Sequence, residues 1–283
     1  SGQLGYGIIE DAFLAGLERD PHVIAADMGS IDPGPTYLGS GDMATTPEMT
    51  HRDLRMVLVA ARRLNIPLVI GSAGTAGSST QLHAVLGIVR EIAKQEDLRF
   101  RLASIEADMP RKRIADAIEA DDVAPIGAIE MLESESVNTA THIVGQMGVE
   151  AFGRALEAGA EVIVAGRACD TAPFAAVPAL LGYPLGLAMH MAKIIECSSI
   201  CCVPGGRDAM LGTLDEHGFE LESMNPSRRA TPSSVAAHSL YEQADPFSVA
   251  EPEGVLHTDT ARYEAIDDRR VRVSGARWVE ATR

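Results

Sequence analysis

The sequence predicts an α/β protein, with a mostly parallel sheet that carries helices on both faces and a smaller C-terminal α+β part. The first observation is a unit that repeats over residues 1–203: a helical apolar pattern, a turn, and a short β-branched run ending at glycine or an acid. Apolar strands that alternate with helices are typical of a parallel sheet buried on both faces. The second observation is a change to hairpin patterns over residues 204–283. We therefore expect an α/β body with the active site over 1–203 and an α+β appendage with hairpins over 204–283.

The elements of the body follow from apolar spacing and turn residues. In the predicted helices, apolar residues recur at three- and four-residue intervals, and Thr46-Pro47 opens one helix with a cap residue and a first-turn proline. The short β-branched runs predict strands. The predicted helices cover 9–17, 46–64, 82–92, 110–120, 152–156 and 187–200, and the predicted strands cover 22–27, 66–70, 100–105, 141–146 and 161–165.

The appendage shows two alternating patterns and one helical pattern. Residues 211–221 predict one hairpin, and residues 262–277, with Asp267-Asp268 in the turn, predict another. Between them, residues 233–243 follow Thr231-Pro232 and predict a helix that begins at a capped proline.

The charge balance excludes two classes of partner. The chain has 24 basic and 40 acidic residues, a net charge of −16, and its aromatic content is only 4%. Nucleic-acid binding needs a basic surface, single strands are usually held on aromatic platforms, and anionic membranes attract basic segments. We therefore expect neither nucleic acid nor a membrane as a partner.

The cysteines favour a reducing, cytoplasmic compartment. Cys197, Cys201 and Cys202 are expected to share one helix, where disulfide bonds could not easily cross-link the fold. Cys169 is the fourth cysteine. No uninterrupted apolar stretch has the length of a membrane span.

Ligands of open α/β sheets bind outside the carboxyl ends of the strands. The first such loop holds Asp27, Ser30 and Asp32, and carboxylate oxygens with a hydroxyl suit a hard cation or a substrate hydroxyl. The alternative is ordinary turn chemistry, because Asp32 is followed by Pro-Gly-Pro.

The second loop runs from Gly71 through Ser72, Gly74 and Thr75 and opens a helix. Small residues let backbone N–H groups converge at a helix N-terminus, which suits a carboxylate or phosphate. The glycine spacing matches neither a dinucleotide fingerprint nor a P-loop. The alternative is a tight strand-to-helix turn that binds nothing.

Two further loops follow the third and the last predicted strands. Glu106 could ligate a metal or move a proton, or it could belong to a helix-capping segment. Arg167 presents a planar fork to a carboxylate, and Asp170 could orient that arginine or cap the helix that follows. Asp170 is also a candidate catalytic residue. A purely structural ion pair is the alternative. Gln146 is a candidate hydrogen-bond donor to substrate.

The helix predicted over 187–200 carries His190, Lys193 and Glu196 among apolar residues. Ionisable groups in an apolar helix are costly unless they are paired. We expect Lys193 and Glu196 to form an acid/base pair with His190 as a proton shuttle. The alternative is a buried ion pair that only fixes packing.

Several of these motifs occur together and in one order. They are Leu4-Gly-Tyr-Gly7, Asp27-x-Gly-Ser-x-Asp-Pro-Gly-Pro35, Ile70-Gly-Ser-Ala-Gly74, Thr141-His-Ile-Val-x-Gln-Met-Gly148, Gly166-Arg167-x-x-Asp170, His190-Met-x-Lys193-x-x-Glu196-Cys197 and Arg270-Val-Arg-Val-Ser-Gly275. Over nearly the whole chain this resembles the acyclic terpene utilisation (AtuA-like) family. The resemblance implies a link to CoA-thioester chemistry, a small companion protein, and family chains that extend beyond both ends of this one.

Taken together, these observations predict a lyase that adds or removes water next to the carbonyl of a small carboxylic acid or its CoA thioester. Arg167 and the Gly71 loop would bind the anion, and Lys193 or Glu196 would be the base. If a divalent cation such as Mg²⁺ is used, its ligands would be Asp27, Asp32 and Glu106.

Two alternatives stay open at this point. One is a thioester hydrolase or acyl-transfer enzyme with Ser72, Thr75 or Cys169 as its nucleophile. The other is a non-catalytic subunit whose site a small partner completes. A homo-oligomer is expected, because soluble oligomers are mostly symmetric homo-oligomers.

Overall fold

The computed structural model describes residues 4–29, 33–241 and 245–281. Its first sheet has four strands in the order β1-β2-β4-β3, and every pair in it is parallel. The strands are β1 (Ile24–Asp27), β2 (Leu68–Gly71), β3 (Leu102–Ile105) and β4 (Val162–Ala165). The predicted parallel sheet is therefore confirmed.

Helices connect and follow these strands. They are α1 (Glu10–Leu17), α2 (Thr36–Ser40), α3 (Pro47–Leu64), α4 (Ser79–Gln95), α5 (Arg111–Glu119), α6 (Ser134–Thr139), α7 (Val149–Glu157), α8 (Ala172–Leu180) and α9 (Leu185–Ile195). The predicted start of α3 is confirmed, because the Thr46 hydroxyl accepts the backbone N–H of Met49 and Pro47 occupies the first turn.

Side chains of the central strands alternate between two hydrophobic clusters. Leu68, Ile70 and Val164 pack with apolar residues of α3 and α4 on one face. Val69 and Ile163 pack on the other face with residues of α7, α8 and α9. Because successive strand residues point to opposite faces, both faces of the sheet are buried under helices, as predicted.

The N-terminal loop is tied down by Asp53, a buried acid on α3. Its carboxylate accepts backbone N–H groups from Gly5, Gly7 and Ile8 at 2.9–3.0 Å. Gly5 and Gly7 have φ of 96° and 98°, a backbone conformation that suits glycine. The Gly-Tyr-Gly motif is thus shaped to bring its N–H groups onto this carboxylate.

The C-terminal part is α+β, as predicted. Its elements are β5 (Cys202–Val203), β6 (Met210–Leu214), β7 (Gly218–Ser223), β8 (Arg229–Ala230), α10 (Pro232–Ser239), β9 (Ser248–Glu251), β10 (Gly254–His257), β11 (Arg262–Ala265), β12 (Arg270–Ser274) and β13 (Arg277–Glu280). Both predicted hairpins are present, β6–β7 and β11–β12, within the sheet β11-β12-β7-β6. The antiparallel sheet β13-β10-β9 was not predicted.

The two parts share one core through α9. Every residue of α9 from Gly186 to Ile195 is buried. One hydrophobic cluster includes Ile163 of β4, Ala192 of α9, and Phe219 and Val273 of the antiparallel sheet. The C-terminal sheets therefore pack over the helical layer of the body, and their strands border the same interior.

Two predicted elements are wrong. Residues 141–146 form no strand; instead Gly145 N donates to Ala107 O and Met147 N to Arg167 O, so the segment lies across the loops that follow β3 and β4. The helix expected over 187–200 ends at Ile195, and Ser198, with φ of 62°, breaks it. The three cysteines consequently do not share a helix.

All four cysteines are free thiols. Among the helices of the described chain, none combines the length and the apolar character that crossing a bilayer requires.

Candidate functional site

The candidate site lies where the connections of two neighbouring strands leave the sheet on opposite faces. β2 leads to α4 on one face and β4 leads to α8 on the other, while β2 and β4 are adjacent. Such a switch point is the usual ligand crevice of an open α/β sheet. Here the loop after β2 contacts the loop after β4 directly: the Arg167 N–H donates to Gly77 O at 3.2 Å.

The loop after β2 is strained. Ser72 and Thr75 have φ of 50° and 101°, between Gly74 at 74° and Gly77 at 69°. A positive φ is unusual for a non-glycine residue and especially for a β-branched one, and such residues persist only where their surroundings hold them. The Ser72 hydroxyl bonds both backbone groups of Ala168 at 3.3 Å, which holds this loop against the next.

The amides of this loop are already used by the protein. Ala76 and Gly77 donate to Gln81 Oε1 at 2.9 and 2.7 Å, and Gln81 in turn donates to two backbone carbonyls. The N–H groups of Ser72, Ala73 and Thr75 also have backbone acceptors. These five N–H groups therefore form a rigid strand-to-helix turn rather than an open anion cradle.

Arg167 is the cation that this turn surrounds. It is only 7% exposed, its Nη1 donates to Thr75 O at 3.3 Å, and its Nη2 lies 3.4 Å from Asp170 Oδ1. A guanidinium has five N–H donors. The two long contacts leave it capacity to hold a carboxylate, and the contact with Asp170 is compatible with the orienting role that the sequence left open.

Asp27 at the end of β1 is a wholly buried carboxyl group. Its Oδ2 accepts the Gly29 N–H at 2.7 Å, whereas its Oδ1 has no hydrogen-bond partner within the described chain. Burial raises the pKa of Asp27 well above its ordinary value, and the negative charges of Asp170 and Glu196 raise it further against the opposing effect of Arg167. Asp27 therefore tends to keep a proton.

Lys193 and Glu196 complete this group of charges. Lys193 Nζ donates to Glu196 Oε1 at 2.6 Å at the C-terminal end of α9, and the residues are 9% and 5% exposed. Since the charge of Glu196 acts on Asp27, the pair lies close to the end of β1. The structure thus brings together five of the residues singled out from the sequence: Asp27, Arg167, Asp170, Lys193 and Glu196.

His190 faces a different environment. Its Nε2 hydrogen-bonds the hydroxyls of Ser239 and Tyr263, both at 3.3 Å, and its ring meets Phe219 edge-on. Burial lowers the pKa of His190 to about 4, so its imidazole is neutral at physiological pH. These bonds lead to the C-terminal part. Burial, followed by the charge of Lys193, lowers the pKa of a second histidine, His238, to about 4.

The expected metal ligands are not assembled. Asp27 and Glu106 follow β1 and β3, which are opposite edges of the sheet and stand roughly 14 Å apart at normal strand spacing. Two ligands of one cation lie within about 5 Å of each other. The Glu106 side chain is 65% exposed beside His83, and the described residues contain no cluster of three or more metal-binding side chains. Ser30 and Asp32 lie outside the described residues.

A second polar group borders this site from the C-terminal part. Glu251, on β9, accepts the Thr171 hydroxyl at 2.8 Å, and Gln146 Nε2 contacts Cys169 Sγ at 3.3 Å. Burial, followed by the nearby negative charge of Glu251, raises the pKa of the Cys169 thiol. Sequence reasoning missed Glu251, because an acid before Pro252 in a predicted appendage carries no local signal of a site.

Two cavities adjoin these elements. One of about 690 Å³ is lined by residues that include Gln146, Gly148, Glu253 and Trp278. The other, of about 350 Å³, is mostly apolar and lies between β1, α8, α9 and β6.

Comparisons with curated proteins and with solved structures give no match. The model of one protein family, described as acyclic terpene utilisation family protein AtuA, matches residues 46–219. That span is more than half of the chain and contains the strained loop, Arg167, Asp170, Lys193 and Glu196. The chain therefore belongs to the AtuA family.

Proposed function

We propose that this protein is an acid–base enzyme acting on a small carboxylic acid or its CoA thioester, in the manner of a lyase that adds or removes water next to the carbonyl. One observation carries the proposal: Glu196 of the buried Lys193–Glu196 pair interacts electrostatically with a buried carboxyl group, Asp27, which also interacts with Arg167. Charged groups are rarely buried together away from water unless chemistry or packing requires them.

Arg167 anchors the anionic end of the substrate in this proposal. Its planar fork matches a carboxylate, and burial strengthens such a bond. Asp170 and Thr75 fix the guanidinium from one side. Asp27, holding its proton, donates a hydrogen bond to the oxygen on which negative charge develops, as a neutral carboxylic acid in an apolar site can.

Glu196 is the base. Lys193 donates within the ion pair, so its ammonium has no lone pair with which to accept a proton. The Glu196 carboxylate is the group of the pair that can accept the proton next to the carbonyl. Lys193 then stabilises Glu196 in its ionised state before the transfer.

The thioester hydrolase alternative has weaker support. The hydroxyls of Ser72 and Thr75 donate to backbone carbonyls. Burial and the charge of Glu251 disfavour a Cys169 thiolate, and the thiolate is the reactive form.

A cytoplasmic location, a homo-oligomeric state and a small companion subunit also belong to the proposal. They rest on the free thiols, on the general prevalence of symmetric oligomers and on family resemblance.

The test is a thermal-shift screen with hydroxy-, oxo- and amino-acids and CoA esters, each with and without Mg²⁺. A ligand at one hundred times its dissociation constant adds about 2.7 kcal/mol to the unfolding free energy. Arg167→Lys should abolish that gain because it removes the fork, whereas Arg113→Lys, at an exposed position of α5, should keep it.

Two results would count against the proposal. One is a stabilising acid whose effect survives Arg167→Lys. The other is a well-folded protein that no acid or ester stabilises, alone or with its companion subunit added.

A further inference from the structure

We propose that Glu251, contributed by the C-terminal part of the chain, is the general acid of this site and delivers a proton to the leaving hydroxyl group. The inference rests on the proposed function and extends it, because it assigns the second proton-transfer group and makes the active site a joint product of both parts of the chain.

The first observation is how Glu251 is held. Thr171 is the N-cap residue of α8, yet its side chain makes no capping bond and donates instead to Glu251 Oε1 at 2.8 Å. A threonine at this position usually caps the helix, whereas here its hydroxyl bonds Glu251 instead.

The second observation is that the held carboxyl group keeps one oxygen available. Glu251 Oε2 is buried and has no oxygen or nitrogen partner in the part of the chain that the structure describes, and the thiol of Cys169 is a weak donor to this carboxyl group. An unpaired buried oxygen is costly, and a substrate hydroxyl would satisfy it.

The third observation is the set of groups that face Glu251 from each neighbouring element. They are Lys193 from α9, Cys169 and Thr171 from the loop after β4, and Glu253 from the turn after β9. Burial raises the pKa of Glu251 and Glu253 raises it further, while Cys169, Thr171 and Lys193 lower it, and the net direction is upward. Glu251 therefore tends to hold a proton when an ordinary glutamate would be ionised.

The fourth observation is position relative to the base. The charge of Glu196 acts on Asp27, and the charge of Lys193 acts on Glu251. The ion pair therefore interacts with both carboxyl groups, Glu196 with Asp27 and Lys193 with Glu251. The cavity of about 690 Å³ is lined by Gln146, whose amide contacts Cys169, and by Pro252 and Glu253, the two residues that follow Glu251.

The chemical step balances with these groups. For dehydration of a 3-hydroxy acid or ester, Glu196 takes the proton from the carbon next to the carbonyl, and the C–H electron pair forms the new C=C bond. The C–O bond of the hydroxyl breaks, its electron pair stays on oxygen, and Glu251 gives that oxygen its proton, so that water leaves. The step ends with Glu196 protonated and Glu251 ionised, and hydration is the reverse.

The first test needs no substrate. Infrared difference spectra recorded while the pH is raised from 3 to 8 compare the wild-type protein with Glu251→Gln and with Glu264→Gln, an exposed glutamate on β11. We expect Glu251→Gln to remove one protonated-carboxyl band that persists above the pH at which ordinary glutamates ionise and that Glu264→Gln leaves in place. A spectrum in which Glu251→Gln removes no such band overturns the proposal, whatever the substrate.

The second test uses 3-hydroxybutyrate, crotonate and their CoA thioesters as probes in deuterated water, with hydrogen exchange and water addition followed by NMR. Glu251→Gln should lower the rate of water addition or loss by at least about 100-fold, the usual size of general acid catalysis. Thr171→Val, which removes the bond that holds Glu251, should shift the alkaline limb of the pH–rate profile to higher pH. An active wild type with an unchanged rate and profile in both variants overturns the proposal.

The two tests distinguish a failure of the proposed function from a failure of the assignment of Glu251. If the wild type acts on no probe but the infrared band is lost in Glu251→Gln, the proposed reaction fails for these acids and Glu251 remains the proton-holding group. If the wild type is active and the band is unaffected, the proposed function stands and the assignment of Glu251 falls.

Discussion

Lys193 and Glu196 are joined by a 2.6 Å bond from Nζ to Oε1, and both side chains are buried at the end of α9. Removing two charges from water costs several kcal/mol for each ion, and their attraction offsets this cost only when geometry and further bonds are good. A pair of this kind is weak support for stability. What links it to chemistry is its electrostatic interaction with two buried carboxyl groups, Asp27 through Glu196 and Glu251 through Lys193.

The pair should therefore respond differently to single and double replacement. Lys193→Met leaves the Glu196 carboxylate buried without its counter-charge and should lower the unfolding free energy by about 3–5 kcal/mol. Lys193→Met combined with Glu196→Leu should restore much of that loss, because both charges are gone. Urea denaturation of the four proteins in the cycle measures the coupling, and additive losses would contradict it.

Asp27 should make the protein less stable as pH rises. Its folded-state pKa lies above the unfolded value, so the folded state binds more protons between the two pKa values. Stability is then fully present below the unfolded value of about 4 and is lost as pH rises through the folded pKa. Asp27→Asn should remove this loss, and urea midpoints measured from pH 4 to pH 9 would show it. Asp122→Asn, at an exposed position, should leave the slope unchanged.

His190 should act in the opposite direction. Its pKa falls from 6.5 to about 4 on folding, so the unfolded state binds more protons between those values. Its contribution is present above pH 6.5 and is lost as pH falls toward 4, by roughly 3 kcal/mol in total. His190→Gln should reduce the acid sensitivity, and the exposed His217→Gln should not. Equal acid-denaturation midpoints for wild type and His190→Gln would contradict the prediction that buried His190 contributes to acid sensitivity.

Gly77 should tolerate no side chain. A Cβ there would overlap the backbone of Arg167, and its φ is 69°. Gly182, with φ of 82°, has open space around its Cβ position. Both alanine variants therefore carry similar backbone strain of about 1 kcal/mol. Gly77→Ala should cost clearly more and should also weaken any ligand binding that depends on Arg167, as thermal denaturation with and without ligand would measure.

Most helices and strands of the body were readable from the sequence because they depend on local periodicity, whereas α2, α6 and the sheet β13-β10-β9 were not predicted. Thr46-Pro47 marked the start of a helix, and the apolar runs before Asp27, Gly71 and Gly166 marked the strand ends where loops of an α/β sheet carry function. The hairpin around Asp267-Asp268 was equally local. The strand predicted over 141–146 was wrong for the same reason. Its few apolar residues resemble a local strand pattern, whereas its backbone partners lie in distant loops.

Within the site, the sequence by itself singled out Arg167, Asp170, Lys193 and Glu196, since charged residues in an apolar helix or just after a buried strand are unusual enough to notice. Only the tertiary structure decided which of them meet. The strand order places Glu106 at the opposite edge of the sheet from Asp27. Five N–H groups of the Gly71–Gly77 loop are bonded to acceptors within the protein. Glu251 joins the site because β9 packs against the start of α8, where Thr171 donates to it. Proximity between residues so distant in the chain depends on how whole elements pack, and no local pattern of side chains encodes it.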